Sequence, residues 1–270
     1  MRGFIIYLIL LLTLAAMPQQ VSARSYALCV GLNDYPYEVA NYRPSKLRVS
    51  VNDARVMKQV FAANGFSTSL LTDSAATCKA VLRAMKYRFC TAKKNDVVIF
   101  YFSGHGTEKG LLCFDGLLTN SAIADEMSKC KAKIKMIVAD ACYSGTMRND
   151  TVWRQAFANA EDVVLFLSSR TDEVSRETWY SNSLFTMYLE RGLRGGADAN
   201  RDQIITLREL YDFVHNGVIA DKRFGDPHHP VMWGGFDGNS AVVKWLDKND
   251  KSKNKNTNNN KSKINVTTNN

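Results

Sequence analysis

A chain of 270 residues with 46% apolar and 23% charged content can bury a sizeable core, which excludes a disordered polymer and makes one domain the expectation. The formal charge of +9 suggests nucleic-acid binding only until it is located. Residues 1–23 carry +1 and residues 247–270 carry +4, leaving +4 on Arg24–Leu246, an ordinary globular balance, so no nucleic-acid partner is expected.

The first 23 residues hold one basic residue, an apolar run from Phe4 to Ala16, then Val21 and Ala23 before Arg24. That run has the length of an export-signal core and is short for a bilayer span, so an exported protein (periplasmic, secreted or in the secretory-pathway lumen) is expected, with no stable membrane anchor once the leader is gone. An uncleaved anchor is the alternative. Six cysteines in an exported chain suggest a disulfide framework, but a chain this long needs no stapling. Cys29 and Cys113 lie in strand-like runs and Cys78, Cys90 and Cys130 on helix-like segments, where a thiol acts as a small hydrophobe. Cys142 falls instead in the small-residue turn Asp140-Ala-Cys-Tyr-Ser-Gly145.

From Arg24 to Leu246 strand-like runs alternate with helical patterns. Strands are expected at Tyr26–Leu32, Thr68–Thr72, Val97–Phe102, Ile134–Ala139 and Val163–Ser168. Val51–Ala63, Cys78–Phe89 and Ser121–Lys131 repeat apolar residues near a 3.6 period. This series predicts an α/β fold, a mostly parallel central sheet with helices on both faces. Gly110–Gly116 reads as an inserted hairpin, followed later by helices at Ser183–Gly192 and Leu207–His215 and a closing piece built from Val231–Gly235 and Ala241–Trp245. Residues 247–270, of which 15 of 24 are Asn or Lys, cannot form a core and are expected to be disordered. The tail is a solubilising segment or, alternatively, a surface-associating arm. Asn149, Asn260 and Asn265 begin glycan-acceptor triplets.

In open α/β sheets, sites form where the carboxyl ends of strands meet. Val97–Phe102 runs into Ser103-Gly-His-Gly106, and Ile134–Ala139 runs into Asp140-Ala-Cys142. If those strands are neighbours, His105 and Cys142 come side by side as base and nucleophile, and the imidazole draws the thiol toward thiolate. Gly104 and Gly106 would free the backbone around the ring, and the N–H groups of Gly106 and Cys142 would face the developing oxyanion. A backbone carbonyl suffices to orient the imidazole. A histidine or cysteine after a strand is more often structural; the two together, each flanked by glycine, point to a dyad.

These paired motifs resemble those of the caspase and metacaspase superfamily of cysteine peptidases, most nearly metacaspase-like members, over about 220 residues from Tyr26 to the closing strand. The resemblance implies the caspase-like three-layer fold over residues 24–246, cysteine endopeptidase activity without a required cofactor, and protein or peptide substrates. Animal caspases carry Gln-Ala-Cys where this chain has Asp140-Ala141-Cys142. In metacaspase-like members acidic residues line the pocket for the side chain before the scissile bond; the matching residues are Asp140 and Asp53, with Ser103 beside them. Two carboxylates in one slot hold Arg or Lys and repel Asp, which implies cleavage after basic residues. Asp53 also suits a helix N-terminus, its alternative role. A basic preference makes Arg148 and Arg154 candidates for self-cleavage, although a plain surface loop fits them equally.

Asp198, Asn200, Asp202, the Ile204 carbonyl, Thr206 and Glu209 have the order of calcium ligands in an EF-hand loop, inserted at 198–209 between two helices. Gln203 stands where glycine makes the sharp turn, a position that usually needs a left-handed backbone. Calcium is the candidate ligand, and a loop closed by helix capping is the alternative. Ser168, Ser169 and Thr178–Ser181 would shape the cleft or only turns, and His228–His229 beside Asp226 reads as surface rather than a metal pair. Two other classes compete: a legumain- or gingipain-like arginine-specific peptidase, and a catalytically idle caspase-fold signalling or binding module.

Overall fold

The structure, a computed structural model, describes residues 24–141, 144, 147, 151–153, 163–169, 181–224 and 228–244. The leader, Cys142, Arg148, Arg154, Asn149, residues 178–180, Asp226 and the tail lie outside the described residues.

The two apolar runs that precede the sequence motifs become strands buried along their whole length: β3 (Val97–Gly104) after β1 (Ser25–Gly31) and β2 (Ser67–Thr72), and later β7 (Ile134–Ala141). A strand covered on both faces has no polar side, which is why these segments read as continuous apolar runs rather than alternations. With β8 (Val163–Leu167) and β10 (Val231–Gly235) they form a sheet of order β10-β8-β7-β3-β1-β2. Every pairing is parallel except β10 with β8.

Side chains alternate along each strand and divide the core into two layers. Val98, Phe100 and Phe102 of β3 join Ile137 and Ala139 of β7 under α2 (Cys78–Phe89) and α3 (Asn120–Ser128). Ile99 and Tyr101 join Met136 and Val138 under α1 (Ser50–Ala63), α4 (Leu184–Arg191) and α5 (Leu207–Ala220). Four helices begin after a hydroxyl that caps them: Thr77, Thr119, Ser183 and Thr206 each accept a hydrogen bond from a backbone N–H of the first turn. Among the described residues no helix is long and apolar enough to cross a membrane.

Three departures from the sequence reading have local causes. The expected hairpin is a three-stranded meander, β4 (Gly106–Thr107), β5 (Gly110–Cys113) and β6 (Gly116–Thr119), because a second turn at Glu108–Lys109 lets β5 pair on both sides. In the closing piece, Val231–Gly235 joins the main sheet, whereas β11 (Ala241–Lys244) pairs with β9 (Ile204–Thr206) in a separate ribbon. His228 is buried rather than at the surface.

Gly31 ends β1 where α1 crosses closest. A Cβ there would stand 2.3 Å from the Ser50 carbonyl oxygen and 2.7 Å from the Ala54 Cβ. Gly31→Ala is therefore expected to lower stability by about 1–3 kcal/mol, as overpacking against a fixed backbone does; guanidinium unfolding at fixed pH measures it, and an unchanged midpoint would show that α1 yields without cost.

Candidate active site

β3 and β7 pair in register from Val97↔Ile134 to Gly104↔Ala141. The next residues along the chain are His105 and Cys142, so the two motifs leave neighbouring strands at the same level of the sheet. Cys142 itself lies outside the described residues. His105 is described, and its surroundings explain how a ring at a strand end is held.

The segment after β1 does this work. Asn33 fixes its start: its side-chain oxygen accepts from Val51 N–H (3.1 Å), its amide donates to the Arg48 carbonyl (3.2 Å), and its backbone N–H donates to Asp73 Oδ1 (2.8 Å). Asp73 also accepts from Asp34 N–H (3.1 Å). The loop so anchored brings Tyr35 and Ser45 to His105. The His105 backbone N–H donates to the Tyr35 hydroxyl (3.0 Å), which donates to the Leu112 carbonyl (3.3 Å). Leu112 N–H donates back to the His105 carbonyl (2.9 Å). The imidazole Nε2 lies 2.7 Å from the Ser45 carbonyl oxygen. A carbonyl only accepts, so Nε2 carries the proton and Nδ1 is the basic nitrogen of the neutral ring. The tilted Tyr35 ring lies 5.2 Å from the imidazole centroid, and burial pushes the Tyr35 hydroxyl's pKa up, so it stays a phenol.

The two glycines play a different part from the one expected. Neither Gly104 nor Gly106 has a positive φ. Gly104 instead clears space: a Cβ there would meet the Tyr35 hydroxyl at 2.6 Å. Gly106 opens β4 directly after His105.

A cleft and a buried acidic cluster flank the strand ends. On the α2 side, a cleft of about 520 Å³ is walled by His105, Gly106–Lys109 and Leu112 against Tyr42–Ser45. On the α1 side lie the buried Ser103, Asp53 and Asp140, the latter from the β7 end and Asp53 from the first turn of α1. Asp53 accepts from Ser103 Oγ (3.0 Å), Asn182 Nδ2 (2.9 Å) and Ser183 N–H (3.0 Å). Asp140 accepts from Ser183 Oγ and from Thr186 Oγ1 (2.8 Å). Ser183 thus touches both acids while capping α4. Burial, and then the negative charge of Asp140, push the Asp53 carboxyl up to about 8, against the pull of its three hydrogen bonds.

The three predicted pocket residues Asp53, Asp140 and Ser103 are therefore brought together. Ser168 and Ser169 follow β8 and are buried: Ser168 Oγ accepts from Ala141 N–H (3.2 Å), and Ser144 and Ser169 hydroxyls lie 3.4 Å apart. Tyr35, Ser45, Asn182, Ser183 and Thr186 were not singled out by sequence. Only Ser183 carried a signal, as the residue opening a helix.

The acidic loop lies elsewhere, between α4 and α5. Gln203 has φ 67°, the left-handed turn its position demands. Asp198 accepts from the Asp202 (3.1 Å) and Gln203 (2.9 Å) N–H groups, and Asp202 from Ile204 N–H (2.8 Å). Glu209 is engaged in a capping box: its Oε2 accepts from Thr206 N–H (3.0 Å) and Thr206 Oγ1 (2.8 Å). Among the described residues no group of three His, Cys, Asp or Glu side chains converges as for a metal ion. The loop oxygens fit calcium in kind, but Glu209 fits only by leaving Thr206.

A mostly parallel sheet between helical layers, with a histidine motif and a cysteine motif leaving adjacent strands, defines a cysteine peptidase-like α/β domain. The chain belongs to the caspase-domain peptidase family, whose model matches residues 24–235. No curated protein matches the chain. Among solved structures, the protein GSU0716 of Geobacter sulfurreducens is similar at 18% identity and a TM-score of 0.65, over 83% of this chain and 100% of that one; at that identity the likeness concerns the fold alone.

Asp53 binds its proton more tightly folded than unfolded, since an unfolded aspartic acid titrates near 4. Between about pH 4 and 8 the native state therefore holds more protons than the unfolded one, and stability falls as pH rises through that window. Urea midpoints measured across it should decline more steeply in the wild type than in Asp53→Asn; parallel curves would remove the raised carboxyl.

Proposed function

We propose that this chain is an exported cysteine endopeptidase that hydrolyses bonds after Arg or Lys, with Cys142 as nucleophile and His105 as general base. The observation that carries the reading is the Gly104↔Ala141 register, which starts both motifs from one level of the sheet. With Nε2 bound to Ser45, Nδ1 of His105 takes the thiol proton; the thiolate attacks the scissile carbonyl, and the imidazolium returns the proton to the leaving amine. The N–H groups of Gly106 and Cys142 stabilise the oxyanion. Hydrolysis of the acyl-enzyme by water restores the thiol.

Asp53, Asp140 and Ser103 receive the basic side chain. Asp53's three hydrogen-bond donors are uncharged, and its raised pKa marks a site where negative charge is under-compensated; a guanidinium or ammonium supplies that compensation. Binding of a cation then expels the Asp53 proton. A Cys142→Ala chain should bind acetyl-arginine amide more tightly as pH rises toward 8, releasing a proton in calorimetry, and Asp53→Asn in that background should flatten the pH dependence. Tight binding that ignores pH would place the cation elsewhere.

Hydrolysis of short Arg, Lys and Asp reporter peptides tests the reading as a whole. Turnover after Arg and Lys, its loss in Cys142→Ala and His105→Ala, and a fall in kcat/KM of about 100-fold in Asp140→Asn, the scale for removing one member of a buried charge pair, are expected. Turnover after Asp alone would refute the pocket, and no turnover would favour an idle binding module. Tyr35→Phe, which strips the acceptor from the His105 N–H, should lower kcat with little change in KM. Self-processing at Arg148 or Arg154 predicts a mass difference between wild type and Cys142→Ala; equal intact masses remove it. Calcium modulation through Asp198–Glu209 predicts an activity change on calcium addition that Glu209→Gln abolishes.

A further inference from the structure

Two cysteines outside this site face each other. Cys78 is the first residue of α2, directly after the capping Thr77, and Cys113 ends β5, opposite Gly116 in the ladder. The chain segments carrying them are strapped together on either side: Phe114 N–H donates to the Ala76 carbonyl (3.0 Å), and Cys78 N–H donates to Asp115 Oδ1 (2.7 Å). A Cβ on Gly116 would stand 3.6 Å from the Cys78 sulfur, which places that sulfur against the β5–β6 ladder. Between the straps the Cys78 side chain packs against the buried cluster that contains Cys113, and the two thiols perturb each other.

The two differ as an attacking and a resolving thiol do. Cys78 is half-buried and Cys113 buried. The neighbouring Cys113 thiol lowers the Cys78 pKa, and the start of a twelve-residue helix adds its positive end. The Cys78 thiol, and then burial, push Cys113 up.

We propose that Cys78 and Cys113 form a reversible disulfide by exchange with a low-molecular-weight disulfide of the oxidised-glutathione class. The Cys78 thiolate attacks one sulfur of the reagent, whose S–S bond breaks and releases one small thiolate. Cys113 loses its proton to solvent, or to the departing thiolate, and attacks the Cys78 sulfur of the mixed disulfide, releasing the second. Two protein thiols are oxidised and one small disulfide is reduced to two thiols. An oxidising compartment holds the pair closed. The bridge ends one residue from Leu112, which is bonded to His105 and Tyr35, so it pins the wall of the cleft from behind. This inference does not rest on the peptidase reading.

The test uses full-length Cys142→Ala, so that no catalytic thiol takes part. The folded chain is incubated with oxidised glutathione or with dithiothreitol, alkylated, and digested without reduction for mass spectrometry. A cross-linked peptide pair carrying Cys78 and Cys113 is expected after oxidation and its absence after reduction, with the melting temperature about 5–10 °C higher in the oxidised form, the usual range for closing such a loop. Cys113→Ser should stop at a glutathione adduct on Cys78, and Cys78→Ser, at a half-exposed position, should leave Cys113 unmodified in the folded chain. Freely alkylated Cys78, a lasting adduct on it in the Cys142→Ala chain, or a bridge from Cys78 to Cys90 would each overturn the pair.

Discussion

The in-register parallel pairing of β3 with β7 is the constraint on which the rest depends. Parallel ladders fix both strands' direction and height at once, so the loops that leave Gly104 and Ala141 must emerge together at one rim. One-residue slippage of either strand would turn its end residue, Ser103 or Asp140, from the α1 layer to the α2 layer, because side chains alternate. Burial of Tyr101 and Phe102 on opposite faces makes such a slip expensive. The candidate site residues are thus held by apolar packing around them.

The rim has two halves with opposed electrostatic character. On the α2 side the strap through Tyr35 and Leu112 satisfies the backbone on either side of His105 with uncharged partners, and the ring is oriented by a carbonyl rather than an acid. On the α1 side, two acids are buried together, with hydroxyl and amide groups donating to them, and burial, then their proximity, raise the Asp53 pKa. Ser183 joins the two problems: one residue caps α4 and gives its N–H to one acid and its hydroxyl to the other. A substitution there would disturb helix and pocket together.

Much of this was legible in the sequence, for identifiable reasons. Val97–Phe102 and Ile134–Ala139 announced central strands because both faces are covered, and the motifs behind them followed from strand ends. Asp53 and Asp140 were reached through resemblance, not pattern. Tyr35 and Ser45 were invisible because the loop after β1 has no periodicity and meets His105 from 70 and 60 residues away. Cys78 and Cys113 read as small hydrophobes, since nothing local reveals that a meander turn folds against the start of α2. The sequence grouped the β11 segment with Val231–Gly235 in one closing piece, but its partner is β9 at the acidic loop, a long-range pairing that no local pattern reveals.

The margins of the sheet have their own significance. Among the described residues, β2 has one neighbour, and its sequence Ser67-Thr-Ser-Leu-Leu-Thr72 alternates little and carries four hydroxyls, with Arg88 reaching Ser67 Oγ at 3.3 Å. The opposite margin, β10, runs against its neighbour and ends in Gly234-Gly235. A foreign strand seeking to extend either border meets wet, weakly patterned backbone, so the architecture discourages fibrillar stacking while the chain folds.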